Sequence, residues 1–257
     1  MKFLQASILG VCMCVAGFAT SGAAPASEQP ATIRVISSMA TRQILSELFA
    51  QYEKQAGVKV VLESVGGVTA AKRVEAGEAF DVVILASNAI AKLMDSGKIV
   101  KGSKVDLVKS GVAIAVQKGG RTFAVTNEEA VKQAVLSAKT ISYSTGPSGV
   151  YLSGLFTRWG IAEQIKDRIV QPAPGIPVGS LVAKGEVELG FQQLSELLHV
   201  EGIVILGPLP ADIQTLTIFS AGVAGTTKQP EAVANLLQFL SSPDTAKTKI
   251  QNGMEPM

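Results

Sequence analysis

The chain has 257 residues, 47% of them hydrophobic, with 23 basic and 21 acidic side chains and a formal net charge of +2. Near-neutrality with dispersed Lys and Arg excludes a nucleic-acid partner held through a basic face. The 9 Phe, 3 Tyr and 1 Trp are few for a sugar site, which stacks rings on aromatic faces.

Lys2, the uncharged apolar stretch Phe3 to Phe18 and the small residues Ala23-Ala24-Pro25-Ala26 follow the layout of a secretion signal (1–26), cleaved after Ala26. The apolar run is short for a membrane anchor, and no later segment approaches a span. Cys12 and Cys14 follow Val11 and Met13, not the small residue that a lipoprotein signal needs. Both cysteines leave with the signal, so no disulfide or thiol chemistry is expected. With His199 the only histidine, no His/Cys metal site is expected. A Ser-His-Asp triad would have to use His199, which reads instead as a surface or helix-end residue. A packed core must hold residues 27–257, enough for one large or two smaller domains.

After Ser27 to Ala31, strands and helices alternate. Ile33 to Ile36 reads as a buried strand, and Ala40 to Ala56 as a helix with Ile44, Leu45, Leu48, Phe49 and Tyr52 on one face and Gly57 as its stop. Val58 to Leu62 is a strand, Thr69 to Ala76 a helix, Val82 to Leu85 a fully apolar strand and Asn88 to Ser96 a helix. A second block has a strand from Gly111 to Val116, a helix opened by the capping box Thr126-Asn127-Glu128-Glu129, a strand from Thr140 to Tyr143 and a helix from Gly149 to Trp159, with Phe156 and Trp159 in the core. Ile169-Val170, Leu189 to Gln192, Ile203 to Leu206 and Thr215 to Val223 read as strands, and Glu231 to Leu240 and Thr245 to Gln251 as helices. The pattern is α/β, a mostly parallel sheet with helices on both faces. Ligands of such sheets sit beyond the carboxyl ends of the strands.

Four loops there are rich in Ser, Thr and Gly and lead into helices: Ser37 to Arg42, Ser64 to Thr69, Ser144 to Tyr151 and Pro174 to Ser180. Free N–H groups, hydroxyls and the positive helix end make such loops anion sites. The same residues serve ordinary capping; four such loops at successive strand ends favour an anion cleft. Arg42 could grip a carboxylate there. Gly66-Gly67 is no P-loop, since no Gly-Lys-Ser/Thr follows.

Through the strand and Ser-Ser loop near Ile36, Val74 to Gly77 with Phe80 to Val82, Pro147 to Tyr151, Glu188 to Phe191 and Phe239 to Pro243, nearly all of the mature chain resembles the periplasmic molybdate-binding proteins of ABC transporters, within the type II solute-binding fold. The resemblance implies two lobes, 27–110 plus 217–257 and 111–216, closing on a small anionic ligand between them by hinge motion, in a periplasmic monomer served by an inner-membrane transporter. It implies ligand contacts from Ser37, Ser38, Gly67, Thr69, Ser148, Gly149 and Val178, with Arg42 added from the reading above. Two departures stand out. Gly66 to Thr69 replace an expected serine run, and Gln192 or Gln193 stands where a tyrosine is expected. Glutamine both donates and accepts, which suits an organic carboxylate better than molybdate. Solute-binding relatives of this type include a periplasmic aconitate isomerase, so the alternative to uptake is a cofactor-free shift of a double bond. The acids nearest the loops, Glu63 and Glu196, and Tyr151 are the candidate proton carriers.

Overall fold

A computed structural model describes residues 32–173 and 175–257; the expected secretion signal lies outside the described residues. In chain order the elements are β1 (Thr32–Ser38), a 3-10 turn Met39–Thr41, α1 (Arg42–Ala56), β2 (Lys59–Val65), α2 (Gly67–Glu75), β3 (Val82–Ala86), α3 (Ser87–Asp95) and β4 (Val105–Gln117). Then come α4 (Glu128–Ser137), β5 (Ile141–Tyr143), α5 (Pro147–Arg158), α6 (Ala162–Ile165), α7 (Val178–Ala183), β6 (Leu189–Gln193) and α8 (Leu194–Leu197). The chain ends with β7 (Ile203–Pro208), β8 (Leu216–Val223), α9 (Pro230–Ser241), α10 (Ala246–Gln251) and β9 (Glu255–Pro256).

Strand order is β2-β1-β3-β8-β4-β6-β5, with β7 and β9 also on β4. The first half of β4 pairs with β8 and the second half with β6 and β7. β4 therefore belongs to two strand groups, and it begins at Val105 rather than at the expected Gly111. The sheet is mixed rather than mostly parallel. β1–β2, β1–β3 and β5–β6 are parallel, whereas every pairing of β4 and β8 is antiparallel. Continuous apolar runs do not reveal the direction of a neighbouring strand.

Period-two alternation explains how both faces are covered. Val82 and Ile84 face a core with Leu48 of α1 and Leu236 of α9, while Val83 and Leu85 face Ala70, Val74 and Ile90 of α2 and α3. On β4, Val112, Ile114 and Val116 pack with Val131, Leu152 and Phe156, and Ala113 and Ala115 pack with Leu197 of α8. Each such fully buried Val, Leu, Ile or Phe contributes roughly 1.5–3 kcal/mol. Gly57 closes α1 at φ 66, as its position predicts. The cap of α4 is Asn127, whose side chain accepts from the Ala130 N–H, and not Thr126. Ile169 makes only an isolated bridge to Ile141.

Candidate functional site

The carboxyl ends of β1 and β2 lie side by side, with Ser37 opposite Ser64. The Ser37 and Ser64 hydroxyls share a 2.8 Å hydrogen bond, so Ser37 is turned into the loop. Ser38 is 6% exposed and its Oγ has no partner among the described residues. A buried hydroxyl left unpaired costs about 1–3 kcal/mol. A Cβ at Gly67 would stand 3.6 Å from the Ser38 Cβ, which brings the start of α2 against the hydroxyl. The cap residue Gly66 offers no side chain, and the first-turn N–H groups of a helix have no intrahelical acceptor. Thr69 is exposed in this turn, and Arg42 is exposed at the first position of α1.

In the other strand group, Ser148 is buried with its Oγ 3.1 Å from the Ser144 Oγ. Gly149 is required by close approach, since a Cβ would fall 1.5 Å from the Ser144 carbonyl oxygen. Val178 is buried in the core. The Gly179 N–H donates to the Gln192 Oε1 at 3.0 Å, and the Gln192 Nε2 donates to the Glu196 Oε1 at 2.8 Å. Gln192 thus links the start of α7 to the first turn of α8. Gln193 is spent differently. With its amide oriented to satisfy both ends, it donates to the carbonyls of Ser110 (3.0 Å) and Gly111 (3.2 Å) and accepts from Thr217 (2.8 Å). It fastens β6 to β4 and β8 and has no free polar end for a ligand.

The three acid–base candidates separate sharply. Glu63 makes a two-pronged pair with Arg73, which also grips Glu78. Arg73 holds the Glu63 carboxyl below its usual range; a locked, weakly basic carboxylate suits structure rather than proton abstraction. The Tyr151 hydroxyl donates to the Ile213 carbonyl at 2.7 Å, and its ring packs on the core with Phe156 and Ile213. Glu196 is the one of the three whose carboxyl is raised. Burial raises its carboxyl to about 7, partly offset by the Gln192 amide. It keeps partial exposure at the surface, while burial dominates the shift.

Two further features escape sequence reading. Ser87 opens α3 directly after β3, on a strand that pairs with β1; its junction has no glycine to mark it. Ser195 Oγ donates to the Ala40 carbonyl at 2.9 Å, joining α8 to the turn after β1 across 155 residues of chain. His199 lies exposed beyond α8, its Nε2 3.0 Å from the Asn252 Oδ1. The fourth loop contains Pro174, outside the described residues.

Known proteins fit this geometry. An aconitate isomerase from a Pseudomonas species is 38% identical over 240 residues, covering 90% of both chains. The molybdate-binding protein ModA of Azotobacter vinelandii is 24% identical over 231 residues, covering 87% of this chain and 89% of that one. The solved periplasmic molybdate-binding protein of Azotobacter vinelandii superimposes with a TM-score of 0.70 at 22% identity, covering 86% of this chain and 98% of that chain. The fold is therefore the α/β two-lobed type II solute-binding fold. Residues 33–255 match the family described as bacterial extracellular solute-binding protein, and the chain belongs to that family.

Proposed function

We propose that this protein captures a small organic tricarboxylate and interconverts trans- and cis-aconitate. The observation that carries this reading is Glu196, a near-neutral carboxyl held by Gln192 at the carboxyl end of β6. The 38% identity to an aconitate isomerase supports it. The ligand would lie between lobes 27–110 plus 217–257 and 111–216, after export of the chain to the periplasm and removal of residues 1–26.

The reaction is an allylic proton transfer. Ionised Glu196 takes a proton from the CH2 group of the substrate, and the electron pair moves into the adjacent C–C bond as the original double bond opens toward its far carbon. Protonation of that carbon completes the shift and restores Glu196. Substrate and product are isomers, so atoms and electrons balance without a co-reactant. The Ser38 hydroxyl and the first-turn N–H groups of α2 would hold the carboxylate that gathers charge in the transition state, and Arg42 would hold a second one. A base whose pKa lies near the working pH is the most effective.

Incubating the purified protein with trans-aconitate, with chromatographic separation of the isomers, tests the reading. Interconversion should fall on the order of 10²–10⁴-fold in Glu196→Gln. A second reading is capture for uptake through an inner-membrane ABC permease, favoured by the unpaired Ser38 hydroxyl beside α2, which serves a bound anion whether or not it reacts. Tight binding without turnover would establish it.

A further inference from the structure

Among the described residues, Lys249 is the one buried lysine or arginine, at 3% exposure. It stands on α10, and its Nζ donates to the Leu240 carbonyl in the last turn of α9 at 2.8 Å. An ammonium has three donors, so this bond leaves two to account for. Burial pulls its pKa down, the mark of a cation that the fold pays to keep out of water. Beside Lys249 lies a small cavity of about 10 Å³, lined otherwise by Thr41 and apolar side chains such as Ile44, Ile84 and Leu107. That is room for about one water, and no carboxylate lines it.

Thr41 also lines this cavity. It is 1% exposed, and its Oγ1 donates to the Ser38 carbonyl at 3.1 Å. Ser38 in turn carries the unpaired buried hydroxyl. Thr41 thus shares a cavity with a buried cation that has no carboxylate lining it, and bonds to the residue whose hydroxyl has no partner. A buried charge without a counter-charge is costly, and an apolar residue of similar volume is often better tolerated. Capping α9 explains the position of the ammonium, but a neutral donor would cap as well.

We propose that Lys249, in the cavity it shares with Thr41, supplies the buried positive charge that holds the anion bound at Ser38. The proposal rests on the reading of the Ser38 loop as an anion site. It makes the ligand the missing counter-charge, so that occupancy relieves an electrostatic cost built into the empty protein.

Calorimetric titration of the native protein and of Lys249→Met with trans-aconitate, citrate, molybdate and tungstate, alongside melting curves without ligand, tests this. Methionine keeps the length and removes the charge; Lys249→Gln serves if Lys249→Met does not fold. The expected result is an anion affinity reduced on the order of tenfold in a variant that melts no lower than the native protein. A variant that melts lower yet binds the same anion with unchanged affinity would show a helix cap only and overturn the proposal. A native protein that binds none of the four would overturn the anion reading itself, a different failure from the second.

Discussion

Glu196 meets two opposed demands. Its raised pKa, about 7 against an ordinary 4.5, suits a base, but a carboxyl that resists ionisation weakens the fold once it must ionise. The folded state binds the proton more tightly than the unfolded state, so this contribution to stability is present below pH 4.5 and is lost as pH rises through about 7. Glu196→Gln should therefore melt higher than the native protein at pH 8, with the gap closing toward pH 4.5, as differential scanning calorimetry would read. Gln192 is the one side chain that pulls this pKa down. Gln192→Ala should move the rising limb of the pH–rate profile to higher pH, which rate measurements from pH 5 to 9 would follow. At this scale the sequence was partly legible. It named Glu63, Tyr151 and Glu196 together, because all three are near the loops. Their partners separate them: Arg73 lies 10 residues from Glu63 and Ile213 62 from Tyr151, while the Gln192 bond to Glu196 spans four residues but depends on both side chains turning toward each other at the end of β6.

The elements place these residues. α8 has four residues, too few to be stable alone; its position comes from what it touches. Ser195 holds the Ala40 carbonyl, and a Cβ at Gly253 would fall 2.5 Å from the Leu198 Cδ1, so the residues after β6 pack tightly against the chain's final turn. Ser195→Ala should lower the isomerisation rate more than it raises KM, because it loosens the helix carrying Glu196. Steady-state kinetics checks this. At the start of α5, Gly149→Ala should destabilise by about 3 kcal/mol, against the usual gain for such a change in a helix, since the new methyl would meet the Ser144 carbonyl. Urea unfolding would measure it. The buried face and end of α1 were legible, with Ile44, Leu45, Leu48, Phe49 and Tyr52 all buried, because one amphipathic face suffices to predict them; its expected first residues, from Ala40, form a 3-10 turn instead. The two-residue strand β9 on Lys109 and Val108 carries no periodicity and was not.

At the scale of the molecule, β4 joins two strand groups, and glutamines bind the junction. Gln193 ties Ser110, Gly111 and Thr217 together, and Gln214 brackets both backbone groups of Val112, accepting from its N–H at 2.9 Å and donating to its carbonyl at 3.0 Å. The proposed lobes would swing about this junction. The family resemblance implied two lobes without naming what joins them; only three-dimensional contacts assign Gln193 to the junction and Gln192 to Glu196, although the two are neighbours on one strand. The most direct test of the account is proton NMR of the purified protein mixed with trans-aconitate. The account predicts that cis-aconitate accumulates to equilibrium, and that Glu196→Gln binds trans-aconitate while leaving it unchanged. Undiminished conversion by Glu196→Gln, or saturable binding by the native protein with no cis-aconitate formed, would contradict it.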